Sequence, residues 1–307
     1  MENNRLYEAI FIFDKYCKPS NEEDKTNMYK INSCLPENIF YATLRLLAAH
    51  NLIIYKDNSF YATDENLSAI KQLKLKKGNN IEEMAILFDK INQKKDGSFF
   101  DNISDLEYEI YSRCNYAVSF EIGQALCKIC EFDNSSVLDI GGNSGGLSNA
   151  ILKNNLNCEI TVVDKSIPCA VGEEFKKLNE VSNIKFIEGD FFSLELNAHY
   201  DYIILSNILH DFCDIECKKL LELCKKHSKN NTKIIIIEDI LNNEIEPLKV
   251  LEHGLRLSIN TIQGKQRTVE ELNNLLYQNS FFINKKCEIN DIQSAIVYEI
   301  KNEICNN

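Results

Sequence analysis

Residues 137–148 read VLDIGGNSGGLS. A short apolar run ends in the acid Asp139, four glycines follow (Gly141, Gly142, Gly145 and Gly146), and Leu147–Leu152 then continues as a helix start. A buried strand turning tightly into a helix has this pattern, with glycines where the backbone takes unusual dihedrals or approaches a ligand closely. In open α/β sheets such a turn lies at the carboxyl end of its strand, where ligands bind.

The spacing selects among ligands. A dinucleotide fingerprint needs G-x-G-x-x-G, and the best alignment here, Gly141 to Gly146, has Asn143 where the second glycine should let a pyrophosphate meet the backbone. Asp139 would also repel phosphates. A turn carrying a carboxylate suits a cationic ligand without phosphates, and S-adenosyl-L-methionine, with its ammonium and sulfonium charges, is that ligand. The cofactor-binding candidates at the turn are Asp139, Gly141 and Gly142.

The following segments agree. Glu159–Asp164 (EITVVD) reads as a second strand ending in an acid, 25 residues after Asp139 (164 − 139). An acid there accepts hydrogen bonds from ribose hydroxyls. Ile184–Glu188 reads as a third strand leading into Gly189-Asp190-Phe191-Phe192, an acid beside aromatics that suits adenine. Each acid taken singly is also an ordinary solvated loop residue. Three strand-end acids in order behind a glycine turn make the ligand reading the better one.

A chain of 307 residues buries a real core and predicts two domains. Hydrophobic content of 44% with 26% charged residues is that of a soluble globular protein. No apolar run reaches the ~18 residues of a membrane span, and the polar start MENNR does not read as a signal peptide. The expectation is a cytoplasmic protein without membrane association. Its net charge of −12 argues against a nucleic-acid surface. The twelve cysteines then read as reduced core thiols, with Cys217 and Cys224 on one helical face beside Leu220 and Leu221. Cys127 and Cys130 form a CxxC without a second pair at metal spacing, so no metal is expected.

Taken in order, Leu6–Cys17 reads as a helix, Ser20–Lys30 as a polar linker, and Leu35–His50 as a helix opening at Pro36. A hairpin follows: Ile53–Lys56, a turn at Asp57-Asn58-Ser59, and Phe60–Thr63. A helix then starts near Asp64. Helix, helix, β-wing, helix is a winged-helix pattern, but between Ser33 and Asp64 Arg45 and Lys56 are the basic residues against Glu37, Asp57 and Asp64. DNA affinity needs several phosphate neutralisations, so the element reads as an interaction module. Lys71–Asn80 reads as a solvated basic face, Ile81–Ile91 as a helix, Lys94–Asp101 as a loop, and Leu106–Ile129 as a helix interrupted near Gly123. After the third strand come a strand at Tyr202–Ser206, the step Asn207 to Phe212 (NILHDF), a helix from Ile215 to Lys226, and the strand Lys233–Ile237 ending in Glu238-Asp239. Pro247–Ile262 reads as a helix. Thr268 and Glu271 form a capping box opening the next helix, and Phe281–Cys287 and Ser294–Ile300 supply closing strands. Strand and helix alternate, predicting a doubly wound α/β domain over 106–307 behind a mainly α domain over 1–105.

The ILHDF step (Ile208–Phe212), with VLDIGGNSGG upstream and GKQRT (Gly264–Thr268) downstream, resembles the O-methyltransferase family of caffeate and hydroxyindole enzymes, over nearly the whole chain. The glycine turn alone says only class I methyltransferase. The His-Asp-aromatic and KxRT steps together carry the family. The resemblance implies a Rossmann-like methyltransferase sheet, a winged-helix start that makes a homodimer, and a small phenolic acceptor from secondary metabolism. It also implies residue roles: His210 as general base, Glu238 as the acid positioning it, and Asp164, Asp190 and Phe191 as ribose and adenine contacts, with Ser206 beside the cofactor. Where the family pattern has a second acid before Arg-Thr, this chain has Gln266, which can hydrogen-bond His210 but cannot balance an imidazolium. The resemblance places the acceptor pocket near Leu257 and Thr261 and near Tyr116 and Phe120.

Chemistry favours a base independently. A phenol has a pKa near 10, so ionising it at pH 7 costs about 4 kcal/mol, and general-base catalysis worth roughly 10² to 10⁴ offsets much of that. Histidine suits the task. Other readings stay open at this level: His210 as a core histidine, Asp211 as a substrate contact or a helix cap, a relative that holds S-adenosyl-L-methionine while hydroxylating or decarboxylating, and a winged-helix regulator sensing it.

Overall fold

A computed structural model describes residues 4–23, 28–57, 59–77, 81–92, 100, 103–155, 157–193, 195–241, 248–261 and 263–300. The chain divides into two compact units: 1–99 with 241–265, and 100–240 with 266–307.

The first unit opens with α1 (Asn4–Tyr16), β1 (Cys17–Glu23), β2 (Tyr29–Ser33) and α2 (Glu37–Ala49), followed by β3 (Ile54–Lys56), β4 (Ser59–Ala62), α3 (Asp64–Lys77) and α4 (Ile81–Asn92). Pro36 stands as the N-cap of α2. The segment expected as a polar linker over Ser20–Lys30 runs instead into paired strands, with Cys17 opposite Ser33 and Pro19 opposite Ile31. A four-stranded sheet of order β1-β2-β4-β3 results. Sequence periodicity missed it because one short strand brings one fully buried residue, Ile31, to the core. Asn58, the end of the basic stretch (78–80) and most of the loop over 94–101 lie outside the described residues.

The second unit runs α5 (Asp105–Leu126), β5 (Ser136–Ile140), α6 (Gly146–Asn154), β6 (Glu159–Asp164), α7 (Ser166–Leu178), β7 (Ile184–Glu188), β8 (Tyr200–Ser206), α8 (Asp214–Lys226) and β9 (Ser228–Asp239). The chain then enters α9 (Leu248–Asn260), which belongs to the first unit, and returns with α10 (Val269–Tyr277), β10 (Phe281–Glu288) and β11 (Gln293–Ile300). A boundary at 105/106 alone does not carry this return. The apolar face Leu251, Leu255 and Ile259 of α9 shares a core with Ile39, Leu44 and Leu47 of α2, and burial of that face decides where α9 sits.

The large sheet has seven strands in the order β10-β11-β9-β8-β5-β6-β7. β5 to β9 are mutually parallel, and β11 is antiparallel to both β9 and β10. Strand order reverses between β5 and β8, which makes that gap the topological switch point. Core residues cover both faces: Leu138, Ile203, Ile234 and Ile236 on one side, Val137, Ile204, Ile235 and Ile237 on the other. That is why β9 reads as an unbroken apolar run.

α5 is continuous through Gly123. Two glycines, one on each helix, let α5 and α6 approach. A Cβ on Gly123 would lie 2.5 Å from the Leu147 carbonyl oxygen, and one on Gly146 would lie 2.2 Å from that of Tyr116. The interruption expected at Gly123 is therefore a helix crossing.

Candidate active site

The turns after β5 and β8 flank the switch point. After Ile140 the backbone takes positive φ at Gly141 (66°), Asn143 (52°) and Gly145 (76°) before entering α6. A side chain on Gly141 would meet Ile208 Cδ1 at 2.2 Å, and one on Gly142 would meet the Asp139 carboxyl at 2.5 Å. The direction a Cβ would take at these two glycines is filled by the protein itself.

Asp139 lies beneath the turn, 1% exposed. Ser148 donates to its Oδ2 at 2.7 Å, while the buried Oδ1 takes no hydrogen bond. Burial pushes this carboxyl up to about 6, Ser148 opposing and Asp164 adding to the rise. Asp164, at the end of β6, takes the Asn143 N–H on Oδ2 at 2.8 Å and the Lys165 N–H on Oδ1 at 2.7 Å, and the Tyr108 hydroxyl lies 3.3 Å from Oδ1. Burial raises its pKa against those donors. Asp164 thus fixes the strained Asn143 of the glycine turn, a tie that no local pattern announces.

Asp190 is exposed after β7 and accepts the Phe192 N–H at 3.0 Å. Beside it the rings of Phe191, Phe192 and Phe212 cluster, with centroids 5.0 to 5.9 Å apart. Ser206 ends β8 half-buried, and Asn207 follows with φ 56°, its side-chain oxygen held by Gln293 at 3.0 Å. Tyr116 packs on Phe175 of α7 (4.1 Å) and on Phe120, so helix packing already engages both rings. Leu257 and Thr261, which belong to the first unit, are buried.

His210 stands on a single 3-10 turn, Leu209–Asp211, and is 9% exposed. Its Nδ1 lies 2.6 Å from Glu238 Oε2, and Glu238 Oε1 accepts the backbone N–H groups of Ile208 (3.1 Å) and His210 (3.3 Å). A carboxylate already serving two donors is an acceptor towards the ring as well. Nδ1 therefore carries the proton, and the neutral ring has its lone pair on Nε2. Asp211 Oδ1 lies 3.7 Å from Nε2. Burial pulls the imidazole down, but the carboxylates of Glu238, Asp211 and Asp239 outweigh it and push His210 up to about 9. Asp211 does not cap α8: the cap is Cys213, whose N–H donates to Glu216 at 3.0 Å.

Gln266 does not reach His210. Its amide donates to Asp239 Oδ2 at 3.3 Å, and both side chains are buried. Glutamine supplies a donor to a second acid beside Glu238, where a third carboxylate would meet like charge. Arg267, quoted in GKQRT but given no role there, is 3% exposed and reaches the backbone around His210 with two nitrogens, while its third meets Asp214. Its signal was a single Arg in a polar stretch, which sequence cannot tell from a solvated one. Among the described residues no group of His, Cys, Asp or Glu could hold a metal ion. Cys127 is half-buried, and burial pushes its thiol up to about 11.

Residues 106–282 match the model of a family described as O-methyltransferase domain. The 8-hydroxyquercetin 8-O-methyltransferase of Mentha piperita is 32% identical over 168 residues, 52% of this chain and 44% of the relative. The acetylserotonin O-methyltransferase of Bos taurus is 31% identical over 141 residues, 46% and 40% respectively. The chain thus spans less than half the length of these curated relatives. Among solved structures, an O-methyltransferase family 2 protein from Planctomyces limnophilus in complex with apigenin superposes with TM-score 0.77 at 14% identity, over 96% of this chain and 92% of that one. Human N-acetylserotonin methyltransferase in complex with SAM gives 0.61 at 21%, over 85% and 83%. At these identities the superpositions speak for the fold alone. With more than half of its length matched by the family model, the chain belongs to the O-methyltransferase domain family.

Proposed function

We propose that this protein is an S-adenosyl-L-methionine-dependent O-methyltransferase acting on a hydroxyl of a small phenolic molecule, with His210 as general base. The observation that carries this is the His210–Glu238 pair, 2.6 Å apart at the switch point of the sheet. S-adenosyl-L-methionine, when bound, supplies the electrophilic methyl group. The residues present fit it: Asp139 offers a buried carboxylate oxygen without a hydrogen bond beneath the glycine turn, favouring a cation there. Asp164 and Asp190 are acceptors at successive strand ends, and the Phe191–Phe212 rings give an apolar face for adenine. Gly141 and Gly142 shape the turn, and Ser206 ends the strand that leads to His210.

His210 takes the hydroxyl proton on Nε2 while Nδ1–H stays on Glu238, which stabilises the imidazolium formed. A neutral attacking hydroxyl would leave charge on the product oxygen, so proton removal and bond formation belong together. Asp211 and Asp239 add negative potential to the same turn. Asp239 is held by Gln266, which joins the site as a support for that acid. In this reading residues 1–105 are a winged-helix dimerisation module, and a sedimentation mass of one chain would remove that part.

The test is transfer of a tritiated methyl group from the donor to a panel of phenols. Label on a hydroxyl oxygen supports the reading; donor uptake with no labelled product across the panel overturns it. A second expectation concerns pH. The imidazole must be neutral to act, and in the ligand-free protein it holds its proton up to about pH 9. With an acceptor that titrates outside the range, kcat/KM should rise with pH from 6 and level near 9. The donor's positive charge opposes the imidazolium, so the same limb in kcat should lie lower. A flat kcat/KM between pH 6 and 9 would count against His210. The sign for stability is opposite: the raised His210 favours folding fully below about 6.5, and that contribution fades as pH climbs through about 9.

A further inference from the structure

The turn that carries His210 is held from two sides by opposite charges. On one side Glu238 Oε1 accepts the N–H groups of Ile208 and His210. On the other, Arg267 donates from Nη1 to the Leu209 carbonyl at 2.7 Å and from Nη2 to the Phe212 carbonyl at 2.9 Å. An anion takes the turn's donors and a cation takes its acceptors. The two carbonyls bracket His210.

The same guanidinium is tied to the start of α8. Nε and Nη2 both donate to Asp214 Oδ1, at 3.1 and 2.7 Å. The arginine side chain is 2% exposed, whereas that of Asp214 is 51% exposed. Burying a cation is costly unless its donors are matched, and here a planar fork meets three acceptors that a lysine ammonium cannot span together. The backbone beneath it is fixed as well, because the next residue, Thr268, caps α10 and exchanges hydrogen bonds with Glu271 (2.8 and 3.2 Å). The turn itself has little regular structure: three residues of 3-10 helix, preceded by Asn207 with φ 56°.

We infer that Arg267 is a positioning residue for His210, its guanidinium holding the carbonyls of Leu209 and Phe212 so that the imidazole stays against Glu238. The inference rests on reading His210 as the base, and it names what fixes that base in place. Arg267 touches neither donor nor acceptor in this role.

The test uses the full-length chain with Arg267→Gln, Arg267→Lys, Asp214→Asn and, for assignment, His210→Gln. Two quantities are read: kcat and KM for methyl transfer, and the titration of the His210 ring by nitrogen-15 NMR, its signals identified among the five histidines by their loss in H210Q. R267Q should lower kcat by about 10²-fold, the scale of a roughly 1 Å misplacement, with KM for the donor within threefold, and should move the ring midpoint down by loosening it from Glu238, opposite to the rise that loss of a neighbouring cation alone would give. R267K should lose less. D214N, at a half-exposed site that keeps the Leu209 and Phe212 carbonyls on the guanidinium, should lose kcat severalfold while staying folded.

Wild-type kcat and an unmoved ring titration in R267Q and D214N would overturn the inference. So would losses of kcat that merely follow the fraction unfolded. If R267Q does not fold, D214N decides. Turnover retained in H210Q would instead remove the base assignment, while the ring titration still reports whether Arg267 holds the turn.

Discussion

Replacing His210 by alanine is expected to lower kcat by about 10² to 10⁴, the usual value of a positioned general base, while donor affinity stays within a factor of about three. The two effects separate because the residues assigned to the donor lie elsewhere on the sheet: Asp139 under the β5 turn, Asp164 at the end of β6, Asp190 and Phe191 after β7. A structural cost must be kept apart from the catalytic one. Glu238, 4% exposed, would lose the ring at 2.6 Å and keep the Ile208 and His210 N–H groups. Leaving a buried acceptor partly unpaired costs about 1–3 kcal/mol. His210→Gln restores a donor without a base, so it should recover stability and leave turnover low. Calorimetric donor titration and initial rates on both variants check this. If H210Q turns over at the wild-type rate, another group removes the proton.

The second large effect is structural. Gly146→Ala should destabilise the protein by about 2–3 kcal/mol and lower its melting temperature by roughly 5 to 10 °C. Two terms compete. Alanine favours a helix over glycine by about 1 kcal/mol, and Gly146 is the first residue of α6. Against this, the new Cβ would lie 2.2 Å from the carbonyl oxygen and 3.0 Å from the carbonyl carbon of Tyr116, with Ser119 Cβ at 3.1 Å. The first two are backbone atoms of a 22-residue helix and cannot rotate aside. The clash wins, α6 backs away from α5, and the glycine turn at its start moves with it. Thermal unfolding of the ligand-free protein reads the result. An unchanged melting temperature with weakened donor binding would mean that Gly146 leaves room for a ligand and not for α5.

The contrast between these residues shows where sequence stops being informative. Strands β5, β6 and β7 were legible because each is a short, mainly apolar run that leads into a polar turn, so Asp139, Asp164 and Asp190 announced themselves by position. The capping box of Thr268 and Glu271 was legible because both partners lie within one helical turn. Gly123 was misread as an interruption because a glycine inside a helix has the same local signature whether the helix breaks there or crosses another. Strands β1 and β2 were missed because polar residues fill their exposed positions, and only pairing, of β1 to β2 and of β2 to β4, makes them strands. Tyr116 was placed near an acceptor pocket by resemblance, while its packing on Phe175 of α7 was not legible, because an aromatic on a helix does not say which neighbour it meets.

Gln266 and Arg267 show the same limit at the site. The stretch GKQRT identifies a family resemblance, but whether Gln266 meets His210 or Asp239 depends on side chains 27 and 56 residues away (266 − 239 and 266 − 210). By itself the sequence determined what depends on neighbours along the chain: periodicity, caps, the glycine turn, and which strand ends carry acids. Only the tertiary structure decided which distant charges meet. There Glu238 and Arg267 grip opposite sides of one short turn and Gln266 sustains Asp239, because a buried polar group must find its partner wherever the fold brings one within about 3 Å.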